Sequence, residues 1–359
     1  MTTHDTVSIT GTDGIIGVAG TGTPTLDEVA AEAGVSRSTA SRALNGGSRV
    51  SPTAQAAVDA AAARLGYVAN RAARSLVTRR TDSIALVVPE PDERVLTDPF
   101  IGATLRGVSA ALAHTQLQLV LIMSRLDESA SSVARYLRSG HVDGAVIASH
   151  HRDDSLEAAV ASSPIPAVFV GRPFESARHL FYTDVDNIAA GRMAAQHLVG
   201  LGRSRIAHLS GPQDMAAGVD RLAGWRDALT EVSLPTDALV TADFSVAAGE
   251  AAMTTLLETH PDVDAVFAAS DAIAIGAMRV LRAAGRRVPE DVAVIGYDDL
   301  GLAADALPPL TTMRNPVVEM ASTAVEQLLA MLDRGERPAA RGDVPPVVFP
   351  PRLVRRASA

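Results

Sequence analysis

The chain has 359 residues, which exceeds one average domain and predicts two or three domains with at least one large buried core. Hydrophobic residues make up 47% and aromatic ones 3%, no apolar run is long enough to cross a bilayer, and there is no cysteine. Membrane spans, disulfides, thiol nucleophiles and thiolate metal sites are thereby excluded, and the expected compartment is the cytoplasm. Residues 1–22, rich in Thr, Gly and Asp with no basic patch ahead of an apolar core, read as a flexible tail and offer no signal peptide. All 32 basic residues are arginine, which with the abundant alanine reads as genome base composition.

Three helices are predicted next. Thr25 and Glu28 form a capping box, in which a hydroxyl and a carboxylate satisfy the donors left free at a helix start, so the first helix begins near Leu26. Leu26, Val29, Ala30 and Ala33 recur at helical spacing, Gly34 supplies a turn, and Ser36 caps a second helix whose inner side holds Ala40, Ala43 and Leu44. The tight turn pushes the first turn of that helix outward, placing Arg37, Ser38, Ser41 and Arg42 where a major groove can be read. Ser51 caps a third helix with Pro52 at its first position, and Ala57, Val58, Ala61 and Leu65 complete a three-helix core. Two capped helices alone fit an inert hairpin equally well.

The segment Val35-Ser36-x-x-Thr39-x-Ser41-Arg42-x-Leu44-Asn45, with Gly66-Tyr67-Val68-Ala69-Asn70-Arg71-Ala72-Ala73-Arg74-Ser75-Leu76, decides between them. It resembles the headpiece and hinge helix of the lactose/galactose repressor family, without a gap from residue 25 to residue 76. In that family the hinge leucine of each subunit wedges into the minor groove, a role the resemblance transfers to Leu76. An apolar side chain suits it, because it replaces lost base stacking. By the same resemblance Ser36, Thr39, Asn45, Asn70 and Ala73 are implied DNA contacts. The expected divisions are a tail (1–22), a helix-turn-helix domain (23–68), a hinge helix and linker (69–80) and a two-lobed effector-binding and dimerisation domain (81–359).

Charge supports the division. Residues 21–80 hold eight arginines and four acids, a net of +4, so the remainder carries −13 of the total of −9. A basic head on an acidic body points its cationic surface at phosphate.

From Asp82 the pattern alternates short apolar strands with amphipathic helices. Strands are predicted at 83–89, 118–123, 144–148, 167–171, 205–210, 265–268 and 292–296, and the spacing implies a parallel α/β architecture. No G-x-G-x-x-G follows the first strand, which disfavours a dinucleotide fold. The stretches Asp143-Gly144-Ala145-Val146-Ile147, Asp186-Asn187, His197-Leu198-x-x-Leu201-Gly202-x-x-Arg205-Ile206-Ala207, Arg221-x-x-Gly224-Trp225, Val288 to Asp299 and Pro309-Leu310-Thr311-Thr312 resemble the effector domain of the same family. The resemblance implies a type I periplasmic-binding-protein-like fold, with two lobes facing across a cleft.

Such clefts hold small hydroxylated ligands by planar polar groups and stacking rings. By positional resemblance Arg221 and Asp298 are the main polar anchors and Phe244 the stacking aromatic, with Pro99, Phe100, Ser270 and Asn315 as further candidates. Ser270-Asp271 departs from the Asn-Asp of many relatives. A hydroxyl replaces an amide there, so Asp271 is expected to act as a helix cap. Ala217 lacks a donor, which suggests a roomier cleft suited to an oligosaccharide or bulky glycoside. His150-His151-Arg152-Asp153-Asp154 reads as a solvated loop with His150 at the cleft edge, and Trp225 as packing.

The expectation is a homodimeric, sequence-specific repressor of a pseudo-palindromic double-stranded DNA operator, sensing a sugar-like effector and using no metal or cofactor. A corepressor-dependent regulator remains an alternative. A transport protein would need export and no DNA head; an enzyme would need a catalytic constellation that the sequence does not offer.

Overall fold

The computed structural model describes residues 23–44, 50–68, 80–123, 129–152, 156–174, 180–335 and 345–359. Asn45, Asn70, Ala73 and Leu76 lie outside the described residues, as do Asp153 and Asp154. The chain divides into two compact units, residues 1–79 and 80–359.

In the first unit, α1 (Leu26–Glu32), α2 (Arg37–Leu44) and α3 (Pro52–Leu65) start where the capping residues dictate. The Thr25 amide donates to Glu28 Oε2 at 2.7 Å and the Glu28 amide to Thr25 Oγ1 at 3.3 Å. Ser36 and Ser51 accept from the amides of Thr39 and Ala54, each at 3.2 Å. The core consists of Val29, Ala30, Ala40, Ala43, Val58 and Ala61, with Leu26, Leu44, Leu65 and Tyr67 packed around it. Among the described residues nothing larger than valine occupies the centre, so the helices approach closely, and loss of one methyl group there is felt.

The second unit is built on two six-stranded sheets, each forming a lobe. Its strands are β1 (Ser83–Val88), β2 (Gln118–Met123), β3 (Gly144–Ala148), β4 (Ala167–Val170), β5 (Phe181–Val185), β6 (Ile206–Ser210), β7 (Leu239–Thr241), β8 (Ala265–Ala268), β9 (Ala293–Asp298), β10 (Thr311–Arg314), β11 (Val347–Phe349) and β12 (Arg352–Val354). The first sheet has the order β11-β5-β4-β3-β1-β2 and is parallel throughout. The second, β12-β10-β9-β8-β6-β7, is parallel except where β12 runs antiparallel to β10. Central strands β3, β4, β6 and β8 are buried at every residue, as parallel strands covered on both faces require. Trp225 and Tyr297 are the largest fully buried side chains among the described residues.

The sequence reading found seven of these strands and missed β5, β7, β10, β11 and β12. Three of those five are only three residues long, and β5 and β10 interleave Thr, Asp and Arg with their apolar residues.

The chain passes between the lobes three times. It leaves the first sheet after β5 and enters α8 (Asn187–Gly200), which packs with α9 (Ala216–Glu231) in the second lobe. It returns after β10 through α13 (Val317–Arg334), which packs on β3, β4 and β5. It crosses again between β11 and β12. Helices α8 and α9 lie in backbone contact: a Cβ on Gly191 would stand 2.3 Å from Arg221 O, and one on Gly224 2.0 Å from Ile188 O. Only glycine permits that approach.

Candidate functional site

A cleft of about 690 Å³, open to solvent, lies between the lobes at the carboxyl ends of their strands, where parallel sheets take ligands. Arg221, in the second turn of α9, is 5% exposed. Its Nε donates to Asn187 Oδ1 at 2.9 Å and its Nη1 to Ala269 O at 2.7 Å, while its guanidinium carbon sits 3.4 Å from the Tyr297 ring centre. Tyr297 Oη donates to the same Asn187 oxygen at 2.9 Å. Two of the three guanidinium nitrogens are thus spent on fixing the side chain. The Nη2 group remains for a ligand.

Asp298 ends β9 with a φ of 125°, a left-handed conformation costly for aspartate and frequent where backbones are held for function. Its Oδ1 accepts from Asn315 Nδ2 at 3.2 Å. Burial raises its pKa, and the Arg221 guanidinium offsets part of that rise. Phe244, half-buried, lies with its ring against Gly211, where a Cβ would meet it at 2.4 Å. The guanidinium carbons of Arg221 and Arg94 stand 5.8 and 5.9 Å from the Phe244 ring centre. Phe100, Asn315 and Ala217 line the same cleft.

Pro99 and Ser270 instead line a smaller neighbouring pocket of about 290 Å³, which shares Asp98, Phe244 and Asp298 with the main cleft. Ser270, not Asp271, caps α11 (Asp271–Ala283), accepting from the Ile273 amide at 3.2 Å. Asp271 is buried and accepts from Thr312 Oγ1 at 2.6 Å and the Asp299 amide at 2.8 Å. The expected cap role for Asp271 is therefore corrected: its carboxylate ties β9 and β10 to α11.

The solvated-loop reading of His150 and His151 is likewise corrected. Both are buried, at 5% and 6% exposed. His150 lines the cleft, its Nε2 lies 3.3 Å from Arg172 O, and burial pulls its pKa down to about 4. The ring is neutral with its proton on Nε2, because only a donor faces a carbonyl. His151 lies between two carboxylates, 2.7 Å from Asp214 Oδ2 and 3.1 Å from Glu90 Oε1. Burial lowers its pKa, but hydrogen bonds to those carboxylates more than offset this and leave it raised. The sequence reading failed because charge density alone says nothing about a loop that closes on the opposite lobe.

Asp214 belongs to the second lobe, so His151 bridges the cleft, and the Arg152 amide donates to Asp214 O at 2.8 Å. Arg172, after β4, makes a second bridge to Asp220 of α9 through contacts of 2.8 to 3.0 Å.

Sequence reasoning also missed Asp184. It is 7% exposed, lines the cleft, and accepts from the Val185 amide at 2.8 Å, Asn187 Nδ2 at 3.1 Å and the Arg172 amide at 3.3 Å. Burial pushes its pKa up to about 7. Its signal was a single acid within a strand. Asp98 could have been found, since an aspartate before Pro99 is a helix-start pattern, and its Oδ1 does accept from the Phe100 amide at 2.8 Å.

In the first unit, Arg37, Ser38 and Arg42 are exposed on α2. Arg37 Nε pairs with Asp27 at 3.2 Å, both largely in solvent, an attachment weak enough to exchange for another anion. Arg42 Nε donates to Ser38 O at 3.1 Å. Ser36 Oγ shares hydrogen bonds with Ser38 Oγ at 3.0 Å and Thr39 Oγ1 at 2.9 Å, and Ser41 lies half-buried on the same helix.

A helical head and a two-lobed body with a polar cleft define a ligand-responsive DNA-binding protein, and comparison with known proteins agrees. The model of bacterial regulatory proteins of the lacI family matches residues 25–70, and that of the periplasmic binding protein-like domain matches residues 195–359. The regulator CelR of Thermobifida fusca is 47% identical over 312 residues, covering 85% of this chain and 92% of CelR. The ribose operon repressor of Escherichia coli K12 is 34% identical over 310 residues, covering 85% and 92%. Among solved structures, a CelR–cellobiose complex matches with a TM-score of 0.73 at 42% identity, covering 94% of this chain and all of that one. A lac repressor dimer bound to operator and the anti-inducer ONPF matches with a TM-score of 0.80 at 28% identity, covering 94% and 99%. The chain belongs to the lacI family of bacterial regulatory proteins. It is a DNA-binding transcriptional regulator and not an enzyme.

Proposed function

We propose that this regulator represses transcription as a homodimer on a pseudo-palindromic operator and that a neutral sugar in the inter-lobe cleft controls its binding. The observation that carries the proposal is the immobilised Arg221, stacked on Tyr297 and tied to Asn187 and Ala269, facing a cleft shared with Asp298, Asn315 and the Phe244 ring. Planar polar groups fixed around an aromatic suit a ring that carries hydroxyls on its rim and C–H groups on its faces. CelR's complex with cellobiose makes a disaccharide the first ligand to try. On DNA, Arg37 and Ser38 would read base edges and Arg42 would hold phosphate, assisted by Ser36, Thr39, Ser41 and Asn45 and by a hinge carrying Asn70, Ala73 and Leu76.

The ligand acts by bridging the lobes, so it shifts the balance only by its differential affinity for their two arrangements. Arg221→Ala and Asp298→Ala are each expected to lower effector affinity at least roughly tenfold, since each leaves hydrogen-bonding groups unmet, while ligand-free operator binding is unchanged. Calorimetry with the effector and mobility shifts on operator fragments enriched from genomic DNA test this. Undiminished effector affinity in both variants would place the ligand elsewhere.

A further inference from the structure

The contact that His151 makes with the opposite lobe requires a proton. Both of its ring nitrogens face carboxylate oxygens, Nδ1 at 2.7 Å from Asp214 Oδ2 and Nε2 at 3.1 Å from Glu90 Oε1. A neutral imidazole has one N–H, so it donates to one of these oxygens and turns a lone pair on the other, whereas the imidazolium donates to both. The residue is 6% exposed, so water does little to relieve the mismatch.

The two carboxylates are not held equally. Glu90 follows β1 in the same lobe as His151, is 1% exposed, accepts from Ser149 Oγ at 2.6 Å and pairs with Arg94 Nη1 at 3.3 Å. Asp214 lies between β6 and α9 in the second lobe and keeps 46% of its side chain in solvent. Loss of the proton therefore gives up the Asp214 contact, which is the one that spans the cleft. The neighbouring charged groups do not replace it. His150, next to the ring in sequence, is itself neutral, Arg94 is taken by Glu90 and Asp98, and the Arg152 guanidinium carbon lies 3.8 Å from the Phe174 ring centre.

We propose that His151 is a proton-operated latch between the lobes, so that closure takes up a proton at this ring and the proton is a second effector of the body, independent of which ligand fills the cleft. Burial opposes charge on the ring, yet its bonds to Glu90 and Asp214 leave its pKa above that of an ordinary histidine. The closed arrangement is accordingly favoured at low pH and loses that advantage as pH rises through the raised value. One proton is linked, so the ratio of closed to open forms changes by at most about tenfold per pH unit. The Arg172–Asp220 bridge involves no histidine and remains as a second fastening.

The test measures the separation of the lobes with no ligand present. The chain has no cysteine, so Glu93→Cys and Ala247→Cys, exposed positions near Arg94 and Phe244 on opposite sides of the cleft, take one spin label each. The full-length labelled protein, diluted with excess unlabelled protein, is measured by double electron–electron resonance between about pH 6 and about pH 8.5. With His151 in place the long-distance population is expected to grow with pH, and in His151→Gln, whose amide stays neutral, that growth should be lost. Asp184, with its pKa raised to about 7, is common to both proteins and cancels in the comparison. Asp214→Asn keeps the histidine, removes the second lobe's carboxylate at a half-exposed position and should flatten the response equally, which decides the matter where His151→Gln fails to fold. A distance distribution that does not move with pH when His151 is present, or a response in either variant as large as the parent's, overturns the latch.

Discussion

Asp184 shows how one carboxyl couples the cleft to pH. Burial raises its pKa to about 7, well above the ordinary carboxylate value, so the folded chain holds a proton there that the unfolded chain has released. The native state then binds more protons between about pH 4 and 7, and its stability falls as pH rises through that window and levels off above it. His151, also raised, contributes in the same direction at higher pH. Urea titrations at about pH 4.5 and 6.5, chosen to lie below most of the His151 effect, should show a fall in stability that is smaller in Asp184→Asn than in the wild type by roughly 1–3 kcal/mol, the remainder coming from the likewise raised Asp298 and Asp271. An equal loss in both proteins would show that Asp184 stays ionised throughout. No sequence pattern marks this residue, because its shift comes from burial, which depends on how distant segments of the chain close over it.

At the scale of elements, local chemistry was highly legible and long-range closure was not. The starts of α1, α2 and α3 follow from Thr25, Ser36 and Ser51, whose capping is complete within a few residues. The strands found in the sequence were those with continuous apolar runs. Arg221, Asp298, Phe244, Phe100 and Asn315 were named by resemblance to a family, and the structure brings all five to one cleft. Asp184 and the burial of His150 and His151 were not read, although His150 was expected at the cleft edge and does line the cleft, since burial depends on which loops face each other. The α8–α9 pair carries a related dependence, because Gly191 touches the backbone of Arg221 itself. Gly191→Ala should force the helices apart, costing about 1–3 kcal/mol of stability as overpacking does, and should weaken effector binding by displacing the anchor. Unchanged effector affinity in a destabilised variant would show that the guanidinium tolerates movement of its helix.

At the scale of the whole body, the two ionic bridges across the cleft set how readily the lobes part. Arg172 and Asp220 are both mostly buried and doubly hydrogen-bonded, which distinguishes them from surface pairs of little worth. Asp220→Asn and Arg172→Gln should each lower effector affinity roughly tenfold, and the double variant should lose little more than either, since the second change removes a partner already lost. Additive losses in the cycle would mean that the two side chains act separately.

The three passages of the chain between lobes also bear on inheritance. The first lobe is encoded by three separated stretches of gene, through residue 185, around 317–334 and at 347–349, and the second by the intervals between and after them. No single crossover can therefore exchange one lobe intact with a relative. It would divide a sheet between parents. A double exchange with breakpoints beside Asn187 and Asn315 would transfer all but one strand of the second lobe, and both breakpoints fall at residues lining the cleft. Recombination that respects the fold must cut where ligand preference is written, so new specificities in such a body arise more readily by substitution within the cleft than by shuffling of lobes.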